Sequence, residues 1–213
     1  MRLLFGSQNF GFDTPESDKD YIDLVFPTLS QICHDLPRVK EHKTDLGIIK
    51  SIDIRRLPKL FHTSNLDILQ LLFSKEVTSD NIFDDYLKLY LEKYEQELTT
   101  MNVPRLYKSI TGGAFNRSKK GANKDYIHNI FGYKLLVKFA DLNFTDMRSI
   151  FNHGDYDEYL EMRTNNLELL KINNNWKHLA ESKSEMYSSY IENTIFLSKF
   201  REDISQMVVE YLK

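Results

Sequence analysis

The strand-forming runs are confined to the first quarter of the chain, and this asymmetry constrains the fold more than any other feature. Leu3-Leu4-Phe5 is an apolar run that stops at Gly6-Ser7. A polar, turn-rich stretch over 8–19 follows, and then Tyr21-Ile22-Asp23-Leu24-Val25-Phe26, β-branched and aromatic, closed by Pro27. Residues 46–54, with Ile48, Ile49, Ile52 and Ile54, predict a third strand. Beyond them the apolar period changes. Leu57, Leu60 and Phe61 have helical spacing, and over 82–98 Phe83, Tyr86, Leu87, Tyr90, Leu91 and Tyr94 recur at three and four. Residues 126–142, 156–170 and 187–212 read as further helices and 171–175 as a turn, with no strand predicted after Met101. The expected class is α+β, with a small sheet-bearing lobe over 1–100 and a mainly helical lobe over 101–213.

Composition narrows what such a chain can do. In 213 residues, 41% are hydrophobic, enough for a packed core and too many for a disordered chain. No stretch approaches 18 uncharged apolar residues, so no membrane span is expected, and the apolar part of the N-terminus is too short for a signal peptide. The single cysteine, Cys33, excludes an internal disulfide and a Cys-based zinc cage and points to a reducing, cytoplasmic setting. It reads as a small buried residue, because no local signature makes it a nucleophile. The histidines lack zinc-site spacing. A net charge of −3 excludes a basic coat for nucleic acid but leaves room for a local patch. That patch is 105–124, with Arg105, Lys108, Arg117, Lys119, Lys120 and Lys124 and no acidic residue. Its glycines, Gly112, Gly113 and Gly121, predict a flexible segment, either a solvated loop or a grip on a triphosphate or an RNA backbone.

The segment that carries chemistry runs from Gly6 to Tyr21. A strand ends at Gly6-Ser7, and Asp18 and Asp20 flank Lys19 at the entry to the next strand. Positions i and i+2 of a strand share a face, so two carboxylates lie side by side and repel unless a cation sits between them. Mg²⁺ takes hard oxygen ligands and is commonly shared between carboxylates and substrate phosphates. Gly6 leaves room for a phosphate against the backbone, and Ser7 offers a hydroxyl and an N–H. Phosphoryl or nucleotidyl transfer from a triphosphate is the chemistry this combination suits.

Gly6-Ser7, the loop with Gly11, and Glu16-Ser17-Asp18-Lys19-Asp20-Tyr21 resemble the signature of the polymerase-β-type nucleotidyltransferase superfamily, and within it a branch linked to RNA repair. Asp53-Ile54-Arg55-Arg56-Leu57 and Asn65 are similar to that branch as well. The resemblance covers 1–75 and beyond it touches only Gly132-Tyr133-Lys134 and Leu160-Glu161-Met162-Arg163; Lys138 and Asp141 stand where the branch often has histidine and arginine. The resemblance implies a small mixed sheet and Mg²⁺ (or Mn²⁺) ions held by three carboxylates. Asp18 and Asp20 match the first two. Asp45 and Asp53 compete for the third, with Asp45 preferred because Asp53 directly precedes a helix that it would cap. Gly6 and Ser7 would bind the nucleotide, with Lys134, Arg117, Lys119 and Lys120 as further phosphate contacts and Arg163 reaching either a phosphate or an internal acid. The implied reaction moves a nucleoside monophosphate from a nucleoside triphosphate such as ATP to an acceptor and releases pyrophosphate. An RNA 3′ end is the first acceptor considered, a protein hydroxyl the second and a small molecule the third. The rival reading is a non-catalytic interaction protein that kept the fold.

Overall fold

The computed structural model describes residues 1–11, 13, 17–34, 39–45, 47–119, 123–152, 162 and 169–213. Strands β1 (Arg2–Phe5), β2 (Asp20–Val25), β3 (Val39–Thr44), β4 (Gly47–Asp53) and β5 (Val77–Thr78) form one mixed sheet in the order β3-β4-β2-β1-β5. β1 runs antiparallel to β2, with Phe5 opposite Asp20 and Leu3 opposite Ile22. β4 runs parallel to β2, with Ile22 opposite Lys50 and Val25 opposite Asp53. Residues directly opposite each other share a face. Leu3, Ile22, Leu24 and Ile52 therefore form one apolar face, and all four belong to the main core. The expected class, α+β with a helical C-terminal part, is the one observed.

Helices cover that face. The helices among the described residues are α1 (Ser7–Phe10), α2 (Leu29–Cys33), α3 (Leu57–His62), α4 (Leu66–Leu69), α5 (Ile82–Lys93), α6 (Glu95–Thr100), α7 (Val103–Ser118), α8 (Asn123–Asp141) and α9 (Met147–Asn152), followed by α10 (Leu169–Ser182), α11 (Ser184–Ser189) and α12 (Thr194–Tyr211). Short 3₁₀ turns occupy Ile54–Arg56 and Gln70–Phe73. The core is continuous from Met1 to Val208, so sheet and helices bury one another.

Several expectations are corrected. The stretch read as flexible, 105–124, is mostly α7: Val103, Leu106, Ile110 and Ala114 are buried at helical spacing, and Asn102 caps the helix by accepting from the Arg105 N–H. The turn expected at 171–175 lies inside α10, where Asn173 is buried. The helix expected over 187–212 is interrupted, with α12 beginning only at Thr194, capped by Asn193. Cys33 is exposed, not buried. The helix expected over 156–170 lies almost wholly outside the described residues, as do Lys120 and Arg163.

Gly112 is the test of the α7 assignment. It sits inside the helix, and a β-carbon built there would meet nothing within 4 Å. Gly112→Ala is expected to stabilise the protein by about 0.5–1 kcal/mol, measured by urea denaturation, because glycine in a helix interior has more backbone entropy to lose. A destabilising result would contradict a helix there.

Candidate functional site

The turn after β1 and the start of β2 meet at one edge of the helix-covered face. Gly6 has φ +79°, and a β-carbon built on it would lie 3.2 Å from Asp20 Oδ2. On the other side, Gly47 has φ +146°, and its β-carbon would lie 3.1 Å from Asp20 Oδ1 and 2.4 Å from the Lys19 carbonyl oxygen. The Ile48 N–H donates to Asp20 Oδ1 at 2.9 Å. The Asp20 carboxylate is thus seated between two glycines, one in the turn after β1 and one at the start of β4. Asp18 is exposed, two residues upstream. Lys19 takes the opposite side, where its ammonium pairs with Glu76 at 3.2 Å. Burial and hydrogen bonding to Glu76 raise the pKa of Tyr21, which shares that side.

The Gly6-Ser7 turn is held from beneath. The Gly6 N–H donates to Gln70 Oε1 at 3.0 Å, and Asn9 Nδ2 donates to the same oxygen and to the Gln70 carbonyl. The Lys75 N–H donates to Asn9 Oδ1, which fixes the Asn9 amide orientation. Gln70 and Asn9 are both buried, and among the described residues Gln70 Nε2 has no hydrogen-bond partner. Phe10, closing α1, stacks among Phe131 and Phe151, with ring centroids 4.6 and 5.8 Å away. The turn is therefore anchored both to the 3₁₀ turn after α4 and to α8 and α9. Neither Gln70 nor Asn9 carries a sequence signal of this role; it exists only in the tertiary arrangement.

The two candidates for a third carboxylate lie at opposite ends of β4. Asp53 pairs in register with Val25, five residues or about 16 Å along the strand from Asp20. Its carboxylate accepts from the Arg55 N–H at 2.9 Å and pairs with Arg55 Nη2 at 2.6 Å, so it caps the Ile54–Arg56 turn. Asp45 is exposed in the turn between β3 and β4, two residues before Gly47, at the Asp20 end. Along β4 the positions sharing the Asp20 face are Ile48, Lys50 and Ile52; none is acidic. Among the described residues no three of His, Cys, Asp and Glu converge as a metal-holding group. Asp18 and Asp20 are hard oxygen donors near solvent, a pair that suits a divalent ion completing its shell with water and phosphate, rather than an all-protein cage.

The basic residues separate. Arg117, half-buried near the end of α7, donates from Nε to Asn129 Oδ1 on α8 at 2.7 Å, and Asn129 is held in turn by the Ala114 carbonyl and Ser118 Oγ. Lys119 is exposed, its ammonium 4.3 Å from the Phe115 ring centroid. Lys134 is buried on α8 over the Trp176 ring, 5.3 Å to the centroid, and so is not the surface lysine that spacing allowed. Asp67, in the first turn of α4, is exposed to solvent, yet the protein crowding its carboxyl raises its pKa, with Lys50 and Arg117 opposing the rise.

The raised Asp67 pKa has a consequence for stability. The folded protein holds this proton more tightly than the unfolded chain, whose ordinary value is 3.8. The group's contribution is therefore fully present below pH 3.8 and is lost as pH rises through the folded pKa. Wild type minus Asp67→Asn, followed by urea melts between pH 4 and 8, is expected to show a small deficit for wild type at neutral pH that closes toward pH 4. A deficit that widens on acidification would contradict the assignment.

Compared with known proteins, the chain matches no protein-family model, no curated protein and no solved structure. Among the described residues, no helix is long and apolar enough to cross a membrane.

Proposed function

We propose that the protein is a metal-dependent nucleotidyltransferase that moves a nucleoside monophosphate from a nucleoside triphosphate to an acceptor hydroxyl. The observation that carries the reading is the seating of Asp20 directly against Gly6. It joins the backbone turn suited to phosphate with the carboxylate suited to metal. Asp18 and Asp20 would hold Mg²⁺ or Mn²⁺, with Asp45 the acid at the same end of β4. Gly6 and Ser7 would approach the outer phosphates. The metal, when bound, supplies charge neutralisation on the triphosphate and lowers the pKa of the attacking hydroxyl. The protein's own part is to fix the turn through Gln70 and Asn9 and to exclude the wrong geometry.

An RNA 3′ end is the preferred acceptor, with Lys119 and the neighbouring basic residues as backbone contacts. Incubation with labelled nucleoside triphosphates, Mg²⁺, total RNA and cell lysate, followed by separation of RNA, protein and small molecules, tests it. Label in RNA is expected. Label in protein would replace the acceptor with a partner's hydroxyl, and no label in any fraction would contradict the enzyme. A second reading, a nucleotide-binding protein without transfer activity, is favoured by one observation: no acidic residue of β4 shares the Asp20 face. It predicts metal-dependent triphosphate binding with no label transferred.

A further inference from the structure

We propose that the exposed face of α7 is a docking surface for single-stranded nucleic acid, with Arg105, Lys108 and Lys119 on the phosphates and Phe115 under a base. The inference rests on the nucleotidyltransferase reading for why a nucleic acid should be present; the binding itself needs neither metal nor triphosphate. Leu106, Ile110 and Ala114 bury one side of α7. On the opposite side Arg105, Lys108, Gly112, Phe115 and Lys119 are all exposed, and Lys119, which closes the helix, keeps right-handed helical angles. At about 100° per residue, Arg105, Lys108, Gly112 and Lys119 fall within about 60° of one another, and the stripe runs about 21 Å along the axis. No acidic residue occurs between Asn102 and Lys119. Among the described residues none of the three cations makes an ion pair, whereas Arg2, Lys19, Arg55 and Arg148 each do. Like charges stacked on one helix face repel, so a polyanion laid along them relieves a cost the free protein carries.

The details of the stripe select the polyanion. A β-carbon built on Gly112 would meet nothing within 4 Å, so the middle of the stripe is an opening where a backbone can approach the helix. The Phe115 ring is 64% exposed and stands beside the Lys119 ammonium, 4.3 Å from its centroid. An exposed ring next to a cation suits an unpaired base and its phosphate, which is how single strands are held without sequence preference. A duplex hides its base faces. An anionic membrane fits less well, because the apolar side of α7 is buried in the core and cannot insert. Phosphates and base faces are common to RNA and DNA, so the stripe by itself takes either.

The test is fluorescence anisotropy of the full chain with labelled oligouridine and oligothymidine of about 16 nucleotides, the upper end of a single-strand site, in EDTA and over a series of salt concentrations. Affinity is expected to fall with salt at a log–log slope of about −2, from three cations at about 0.7 each, and Lys108→Met to make the slope shallower by about 0.7. Gly112→Glu is expected to weaken binding and Gly112→Lys to tighten it, each by about threefold or more; opposite signs at one open position are not produced by a change in folding. Phe115→Ala is expected to weaken binding about fivefold or more. Tighter binding of one oligonucleotide identifies the natural source, and either upholds the surface. No binding, equal affinity in Gly112→Glu and Gly112→Lys, or tighter binding to a duplex of the same length overturns the proposal. So does displacement by polyglutamate as effective as by unlabelled oligonucleotide, or binding to phosphatidylserine vesicles with none to the oligonucleotides. The two readings fail separately. Stripe-dependent binding in EDTA, with no Mg²⁺-dependent ATP binding, leaves the surface without the enzyme. Label transfer to RNA indifferent to Gly112→Glu and Lys108→Met leaves the enzyme without the surface.

Discussion

Asp20→Asn is expected to reduce nucleotidyl transfer by on the order of 10³-fold or more while leaving the fold intact. The asparagine side-chain oxygen can still accept from the Ile48 N–H, which Asp20 Oδ1 does at 2.9 Å in the wild type. The substitution therefore keeps the hydrogen bond that ties the side chain to β4 and removes the charge. Asp20→Ala is a poorer probe, since it also leaves the Ile48 N–H without its acceptor, at a cost of about 1–3 kcal/mol. Label transfer per minute, read beside a thermal melt, separates the two effects. Transfer at wild-type rate in Asp20→Asn would remove the carboxylate from the mechanism.

Gly47→Ala is expected to be the most damaging single methyl in the sheet. The new β-carbon would sit 2.4 Å from the Lys19 carbonyl oxygen and 2.8 Å from its carbon, both backbone atoms that cannot swing aside. The residue also has φ +146°, a conformation that costs an L-amino acid energy even in open space. Relief requires β4 to part from β2 where Asp20 is seated. A loss of about 3 kcal/mol or more follows, and a fall in Tm of roughly 6–12 °C for a chain of this size. Whatever protein remains folded should lose metal and nucleotide binding too, because the strain falls on Lys19 and Asp20. A melt within 2 °C of wild type would show that the close approach of these strands is not as described.

How far the sequence reaches is clear from particular elements. β1 and β2 are legible because they are short apolar runs ended by Gly6 and Pro27. β3 is not: between Val39 and Thr44 it carries Lys40, Glu41, His42 and Lys43, and an edge strand exposed on both faces has no alternation to read. β5 is two residues long and exists only because β1 offers it partners. α7 was hidden by Gly112 and Gly113, although Asn102, Pro104 and the buried spacing of Val103, Leu106, Ile110 and Ala114 mark a capped helix. In α10 three asparagines imitate a turn, but Leu169 and Ala180 bury against α8 and tertiary packing outweighs propensity.

The candidate site divides the same way. Asp20 is legible as the first residue of the apolar run of β2, whereas Asp18 lies two residues before that strand, so strand alternation does not place it on the Asp20 face. Gly47 and Gln70 are not legible in the sequence. Each matters through its register or packing against an element distant in sequence, and register is a property of the pair of strands. Asp53 shows the converse. Its setting between two isoleucines is persuasive as text, yet parallel pairing carries it to the far end of β2, where Arg55 occupies its carboxylate.

Calorimetric titration of ATP into the wild-type chain, with Mg²⁺ and then with EDTA, tests the central claim most directly. Asp18 and Asp20 repel a triphosphate unless a divalent ion stands between them. Saturable binding with Mg²⁺ that is at least tenfold weaker in EDTA, and that loses this metal dependence in Asp20→Asn, is the predicted result. No binding under either condition, or binding equally tight with and without metal, would contradict it.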